Sequence, residues 1–297
     1  MLRGRRAGIA AALAVAATAA VTAGCGGGST SGTLRLDPVA AAATKTQNAG
    51  AARVRFAMAI DHEGKPFRLR GTGAIDGSSA EMRVSLAQVY GVMGLPPGAR
   101  DATTAQLQHA TVKEIVLEEN GDYVVYMRIP FFSSPLTGGK QWLKLDVTKL
   151  GKAAGIDLGQ LASGSQVDPT DLITMLEAEG AKVQKLGPAT IDGTATTHYN
   201  VKIDMAKALQ SAGVKSPLLS GMASKVKTAS ENVWIGKDGL LRRLQLGYSV
   251  REETTPSRLG MTMDLYDYGA KVAIAAPPSS AVFDATQLAQ QGLGSMH

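Results

Sequence analysis

The sequence is punctuated by an acidic or amide residue followed by glycine, and each such dipeptide separates runs in which apolar and polar residues alternate. Glu63-Gly64, Asp76-Gly77, Asn120-Gly121, Asp192-Gly193 and Asp238-Gly239 all have this form. It is a strong short-range signal of a β-hairpin, because the tightest turns need positive φ, which Gly adopts freely and Asn and Asp tolerate. On either side the period is two. In residues 53–60, Val54, Phe56, Met58 and Ile60 alternate with Arg53, Arg55, Ala57 and Ala59. Phe67, Leu69 and Ile75 share one face of the next run, and Met82, Val84 and Leu86 one face of the third. Runs at 115–119, 123–129, 183–190, 196–203, 232–235, 240–250 and 259–266 continue the pattern. Hairpins in series with one apolar face predict an antiparallel meander of about ten strands, buried on one side.

Helices interrupt the meander. Asp37-Pro38 provides an N-cap and a proline at the first helical position, and alanines carry the helix to about Gly50. Asp168-Pro169 opens a second helix with Leu172, Ile173 and Leu176, ending near Gly180, and Asp204 caps a third over residues 205–212. A weaker helix or 3₁₀ turn is expected over 147–154. Two long loops with apolar tips are expected, at 87–110 (Tyr90, Val92, Met93, Leu95) and 130–140 (Phe131, Phe132). Long loops of this kind are either functional covers or disordered insertions. No repeat or linker stands out after residue 33. The fold class is therefore α+β: one domain over residues 37–284 and a loose tail over 285–297.

The first residues serve targeting. Arg3, Arg5 and Arg6 precede an apolar run over residues 7–21, too short to span a bilayer, and the run ends at Thr22-Ala23-Gly24-Cys25. This is an export signal over residues 1–24. Small residues before the chain's one cysteine resemble a bacterial lipobox, in which the cysteine becomes the lipidated N-terminus; Thr22 stands where leucine is common. An ordinary secretory signal with an incidental cysteine is the competing reading. Acyl chains on Cys25 would hold the protein at a membrane, each buried methylene contributing about 0.8 kcal/mol. The Gly/Ser-rich stretch within residues 25–36 would be a flexible tether. Removing residues 1–24 takes three arginines from 31 basic residues and none of the 25 acids, so the net charge falls from +6 to +3. That is no argument for a nucleic-acid partner.

The residues offer no catalytic centre. His62, His109, His198 and His297 stand at no metal-ligand spacing from one another or from Cys25. There is no G-x-S-x-G elbow, and Ser224-Lys225-Val226-Lys227 fits S-x-x-K without its companion motifs. Gly71, Gly73 and Gly77 miss the dinucleotide fingerprint. Neither metal nor cofactor is expected, and no enzymatic activity.

The order of these features resembles a known family. A lipobox and a capped helix lead into the meander, followed by Lys140-Gln141-Trp142-Leu143-Lys144-Leu145-Asp146 and the Asp168-Pro169 helix. Ile191-Asp192-Gly193, Thr197-His198-Tyr199-Asn200-Val201 and Val233-Trp234-Ile235-Gly236-Lys237-Asp238-Gly239-Leu240 come after it. Over roughly residues 35–285 this is similar to the actinobacterial LppX/LprA/LprF/LprG lipoproteins and, more distantly, to LolA-like lipoprotein carriers. The resemblance implies a single strongly curved antiparallel sheet, a half-barrel with helices covering its concave face. It also implies a hydrophobic cavity between them that holds acyl chains, and a role in carrying or presenting lipids in the cell envelope.

A cavity of that kind needs aliphatic and Met side chains that tolerate ligands of varied shape, and this chain has 11 Met and only 5% aromatics. The candidate lining residues are Val54, Phe56, Met58, Leu69, Val84, Val125, Met127, Leu143, Val201, Leu244, Leu246, Met261 and Met263. Alternation alone does not distinguish this from an ordinary packed core. Arg53, Arg55, Arg68, Arg70 and Arg83 fall on the opposite face, either as a patch for anionic headgroups or as a solvated sheet surface. The expected partners are acyl lipids of phospholipid, glycolipid or lipoglycan class, the cell membrane through Cys25 at its extracytoplasmic face, and an envelope protein. The competing function is a scaffold or sensor module of the same fold without lipid cargo.

Overall fold

The computed structural model describes residues 37–62, 65–93, 104–130, 137–153, 182–203, 229–250 and 257–294. The Glu63-Gly64 turn, the helices expected at 168–180 and 204–213, and the signal and tether lie outside them.

In chain order the elements are α1 (Asp37–Asn48), β1 (Ala52–His62), β2 (Lys65–Asp76), β3 (Ser79–Ser85), α2 (Leu86–Met93), α3 (Thr104–His109), β4 (Thr111–Glu119), β5 (Asp122–Arg128), β6 (Trp142–Asp146) and α4 (Val147–Ala153). There follow β7 (Lys182–Ile191), β8 (Thr194–Ile203), β9 (Ala229–Gly236), β10 (Leu241–Val250), β11 (Ser257–Tyr266), a 3₁₀ turn (Ser279–Ala281), β12 (Val282–Asp284) and α5 (Thr286–Gly294). The strands form one 12-stranded sheet in the order β12-β6-β5-β4-β3-β2-β1-β11-β10-β9-β8-β7. Its ends, β12 and β7, do not pair, so the α+β fold is an open, curved sheet rather than a closed barrel. Two meanders, β2 to β6 and β7 to β11, flank β1.

The hairpin signals act where the sequence places them. Asn120 and Gly121 both have positive φ (54° and 84°), as do Asp192 and Gly193 (47° and 79°), the pair of values that a type I′ turn demands. At the other two turns only Gly77 and Gly239 are positive.

Three features differ from the sequence expectation. The stretch 87–110 is not a plain loop: α2 follows β3 directly, and α3 leads into β4. Beyond the end of β3, α2 lies against β2, and the Gln88 Oε1 accepts the Arg70 backbone N–H at 2.7 Å, satisfying a donor left open there. The sheet is not purely antiparallel, since β12 pairs in parallel with β6. Residues 285–297, expected as a loose tail, instead hold α5 over Thr286–Gly294. The Asp284 Oδ1 accepts the Thr286 N–H at 2.9 Å, the Thr286 Oγ1 accepts the Asp146 N–H at 3.0 Å, and α5 packs on α4. No alternation or strong cap announces so short a helix; its tertiary contacts hold it. α4 forms as expected, with the Asp146 carboxylate accepting the Lys149 N–H at 2.9 Å as an N-cap.

The main core lies between α1 and the sheet. Ala42 packs with Ala52, Val54, Ile75, Val201, Val233, Ile235, Leu241, Met263 and Leu265, and Val39 and Ala40 join from the same helix. A polar contact pins α1 there: the buried Thr46 Oγ1 accepts the Leu241 N–H at 2.9 Å, at the first residue of β10. Thr46→Val keeps the shape but leaves that N–H without a partner, and a loss of about 1–3 kcal/mol is expected in urea unfolding. A second cluster, Ile115, Val124 and Tyr126 with Leu117, Trp142, Ile274 and Val282, packs on the reverse side of the β4–β6 wing. The segment between β11 and β12 covers it through Ile274.

Candidate functional site

Register across the sheet decides which side chains share a face. Starting from Phe56 on β1, the partners are Met263 on β11 and Gly71 on β2; Met263 leads on to Leu244 on β10, and Gly71 to Val84 on β3. Met58 faces Met261 and Leu69, and Met261 faces Leu246. Val54 lies two residues before Phe56 and shares its face. On the far wing Val116 opposes Val125, and Met127 opposes Leu143. On the other wing Leu246 opposes Glu231, which opposes Val201. Every lining residue named from the sequence therefore stands on one face of one sheet, the face on which α1 lies.

That face has two ends. Toward Val54, α1 fills it: Val54 and Val201, Met263 and Leu244 belong to the cluster packed under the helix, as an ordinary core would. Toward Met58 it continues past α1 as Phe56, Leu69, Val84, Leu246 and Met261, with Met127 and Leu143 on the β5–β6 wing. Phe56, Leu69, Val84, Met127, Leu143, Leu244 and Leu246 are only half-buried, whereas Met58, Val125 and Met261 are buried. An apolar surface with this much residual exposure can receive hydrocarbon at about 25 cal/mol per Å² covered.

Two glycines shape this surface. A Cβ on Gly71 would lie 2.3 Å from the Phe56 ring and 2.4 Å from the Arg83 carbonyl oxygen, and one on Gly73 would lie 2.1 Å from the Glu81 carbonyl oxygen and 2.7 Å from the Met82 Sδ. β2 therefore carries no side chain at these positions, and Phe56 and Met82 occupy the space.

Besides exposed Glu118 at the far end of β4, two acids stand within apolar rows of this face. Glu114 on β4 sits between Met82 of β3 and Met127 of β5, and Glu231 on β9 between Val201 and Leu246. Burial raises both: the Glu114 carboxyl is pushed up to about 7, and Glu231 moves in the same direction. The sequence reading missed them. Glu114 is followed by Ile115, Val116 and Leu117, so β4 is apolar on both faces there and alternation gives no inside or outside.

The reverse face is charged, as the alternation implies. Arg53 pairs with Asp267 at 3.7 Å, and Arg55 pairs with Asp192 and lies over the Tyr266 ring at 4.8 Å. Glu81 meets Arg83 at 2.6 Å and Lys113 at 2.7 Å. Burial alone would raise the Glu81 carboxyl, but its hydrogen bonds and charge contacts with Lys113 and Arg83 hold it below the usual range. Arg68 and Arg70 are exposed and form no ion pair among the described residues. This is the pattern of a solvated face whose charges are mostly offset locally. A groove of about 360 Å³ opens here, lined by Arg55, Ala57, Arg70, Thr72, Thr262 and Asp264 with Phe56 and Gly71. His198 stacks on Trp234 with centroids 4.2 Å apart, and its Nε2 lies 2.9 Å from the Asn232 Oδ1, a structural role.

Among the described residues no group of three or more His, Cys, Asp or Glu could hold a metal ion, and no described helix is long and apolar enough to cross a membrane. Ser224 lies outside the described residues.

No protein-family model and no curated relative matches the sequence. Among solved structures the chain is similar to the lipoprotein LppX of Mycobacterium tuberculosis, at 14% identity and a TM-score of 0.43 over 82% of this chain and 100% of that one. It is similar to LprF from Mycobacterium bovis at 14% identity and a TM-score of 0.41, over 82% and 97%. It is also similar to the LolA superfamily protein NE2245 from Nitrosomonas europaea, at 8% identity and a TM-score of 0.26, over 84% and 97%. None of the three is named for an enzymatic activity. At these identities the likeness concerns the course of the chain alone.

Proposed function

We propose that the protein is an extracytoplasmic lipoprotein, anchored to the cell membrane by acyl chains on Cys25, that binds acyl lipids for carriage or presentation in the envelope. The observation that supports this best is the extension of the apolar face beyond α1, where Phe56, Leu69, Val84 and Leu246 stay half-buried. A sheet that needed only a core would end its apolar face where the helix ends. The ligand is of phospholipid, glycolipid or lipoglycan class, with its acyl chains along the Met58 end and Met58, Met261 and Met127 adapting to their shape.

Leu69→Arg tests the surface. It puts a charge beside Met58 where a chain would lie, and burying an unpaired charge under hydrocarbon is costly. Lipid recovered with the purified protein is expected to fall at least about tenfold while far-UV circular dichroism is unchanged, because half-exposed Leu69 is not part of the α1 core. Equal recovery from variant and wild type would remove this reading.

Cys25→Ser tests the anchor. The full chain is expected to move from the membrane fraction to the soluble fraction, since no other lipidation point remains. A variant that stays with membranes would show that the cysteine is not the attachment site.

A further inference from the structure

The cations of the reverse face are not scattered. Register sets Arg128 on β5 directly opposite Lys113 on β4, and Lys113 directly opposite Arg83 on β3. Arg83 faces Thr72 on β2, and Thr72 faces Arg55 on β1, so the row crosses five neighbouring strands at one level. Arg70 and Arg68 stand two and four residues before Thr72, on the same face of β2. Few acids meet these cations. Glu81 takes both Arg83 and Lys113, Asp192 takes Arg55, and Asp264 is held by two hydrogen bonds from Arg243. Arg68, Arg70 and Arg128 are exposed and form no ion pair among the described residues.

Like charges directly opposite each other on adjacent strands destabilise a sheet. A face that only meets water is solvated as well by residues of mixed sign, and has no need of Arg128, Lys113 and Arg83 in line. The band has instead the sign and the spread of a surface that anions complete. The groove of about 360 Å³ opens beside it, between Arg55 and Arg70, with Thr72 on its wall. We propose that this band docks on the anionic headgroups of the membrane that carries the anchor, with one headgroup phosphate entering the groove beside Arg70. The inference rests on the Cys25 anchor of the proposed function and adds the surface that meets the bilayer. Cys25 stands twelve positions before Asp37, so the start of α1 lies no more than about 40 Å from the acyl chains even at full extension. At that distance headgroups are the nearest abundant counter-charge, whereas an acidic protein would have to be recruited from solution. A few cations alone hold a domain to such a surface weakly, so the Cys25→Ser chain still washes free; the anchor supplies the local concentration. Docked this way, the sheet turns its apolar face away from the headgroups and keeps it from sinking into the bilayer.

The test uses the Cys25→Ser chain freed of residues 1–24, whose arginines and apolar run would bind vesicles by themselves. It is sedimented at low ionic strength with vesicles of phosphatidylcholine alone, or of phosphatidylcholine and phosphatidylglycerol in equal parts. Binding is expected only to the anionic vesicles, and is expected to disappear in about 0.5 M salt. Arg70→Gln and Arg128→Gln are each expected to weaken it about fivefold, and together about 25-fold, since the two sites lie three strands apart. Lys237→Gln removes an equal charge from the turn between β9 and β10, and is expected to leave binding within about twofold. Arg128→Gln is also expected to keep or raise the urea midpoint, because it relieves a like-charge contact. A lower midpoint would make Arg128 a structural residue and overturn the proposal. Equal binding to both kinds of vesicle, or equal losses from Arg70→Gln and Lys237→Gln, would overturn it as well. Binding of polyglutamate without binding of anionic vesicles would overturn the membrane and assign the band to an acidic protein. Lipid recovered with the Arg70→Gln/Arg128→Gln protein is expected to equal that of wild type. Failure of docking therefore leaves the lipid-binding reading in place, and fractionation of the full Cys25→Ser chain reports on the anchor separately.

Discussion

Gly73→Ala is expected to destabilise the protein by about 3 kcal/mol or more, the upper end of what overpacking costs, because the clash is with backbone. A Cβ there would stand 2.1 Å from the Glu81 carbonyl oxygen, on the neighbouring strand and in register with Ala74. Relief requires β3 to move away from β2 by about 1 Å, which strains the ladder at the centre of the sheet and pushes Met82 off the α1 cluster. Gly247→Ala is the control. It too lies within a strand, β10, but its added Cβ meets nothing within 4 Å, and alanine also favours the folded state by about 0.5 kcal/mol through the unfolded chain. Chemical denaturation of the two variants measures the difference. Equal midpoints would mean that β2 and β3 are not as closely apposed as described.

Glu114→Leu is expected to stabilise the protein, and only at higher pH. The folded-state pKa of about 7 lies above the value of 4.5 for an unperturbed glutamate, so folding favours the protonated form. A raised carboxyl leaves stability intact below the unfolded value and removes it progressively as pH rises from there through the folded value. The difference of about 2.5 pKa units corresponds to roughly 3 kcal/mol lost by wild type at high pH. Leucine removes that penalty. Midpoints at pH 8 are therefore expected to favour the variant by an amount of that order, and midpoints at pH 4 to converge. Glu81 works in the opposite sense: its lowered carboxyl gives stability that is lost in acid, so the two acids together place the maximum between them. A Glu114→Leu gain that is the same at both pH values would show that the carboxyl is not buried in its charged form.

The fold was largely legible because its signals are local. Asp192-Gly193 and Asn120-Gly121 announce their turns, and alternation in β1 assigns Val54, Phe56 and Met58 to one face and Arg53 and Arg55 to the other before any partner strand is known. The lining residues were legible for the same reason, since period two fixes the face once one strand is placed. Their occupancy was not, because the limit of α1 is set by tertiary packing: Val54 and Met263 pack under it, while Leu69 and Leu246 do not. α5 was missed because its start is held from about 140 residues away: the Thr286 Oγ1 accepts the Asp146 N–H, and the Ala285 N–H donates to the Lys144 carbonyl. Glu114 was missed because buried Ile115 and partly buried Leu117 pack in one cluster with Ile274 on the reverse face, which makes β4 apolar on both sides and hides the alternation.

The most direct test of the lipid-binding face is chemical analysis of what the protein carries. The Cys25→Ser chain, free of covalent acyl groups, is purified without detergent, extracted in organic solvent and examined by mass spectrometry. Acyl lipid is expected in the extract, and less of it from the Leu69→Arg variant. Clean extracts from several hosts, together with no uptake of added phospholipid, would contradict it.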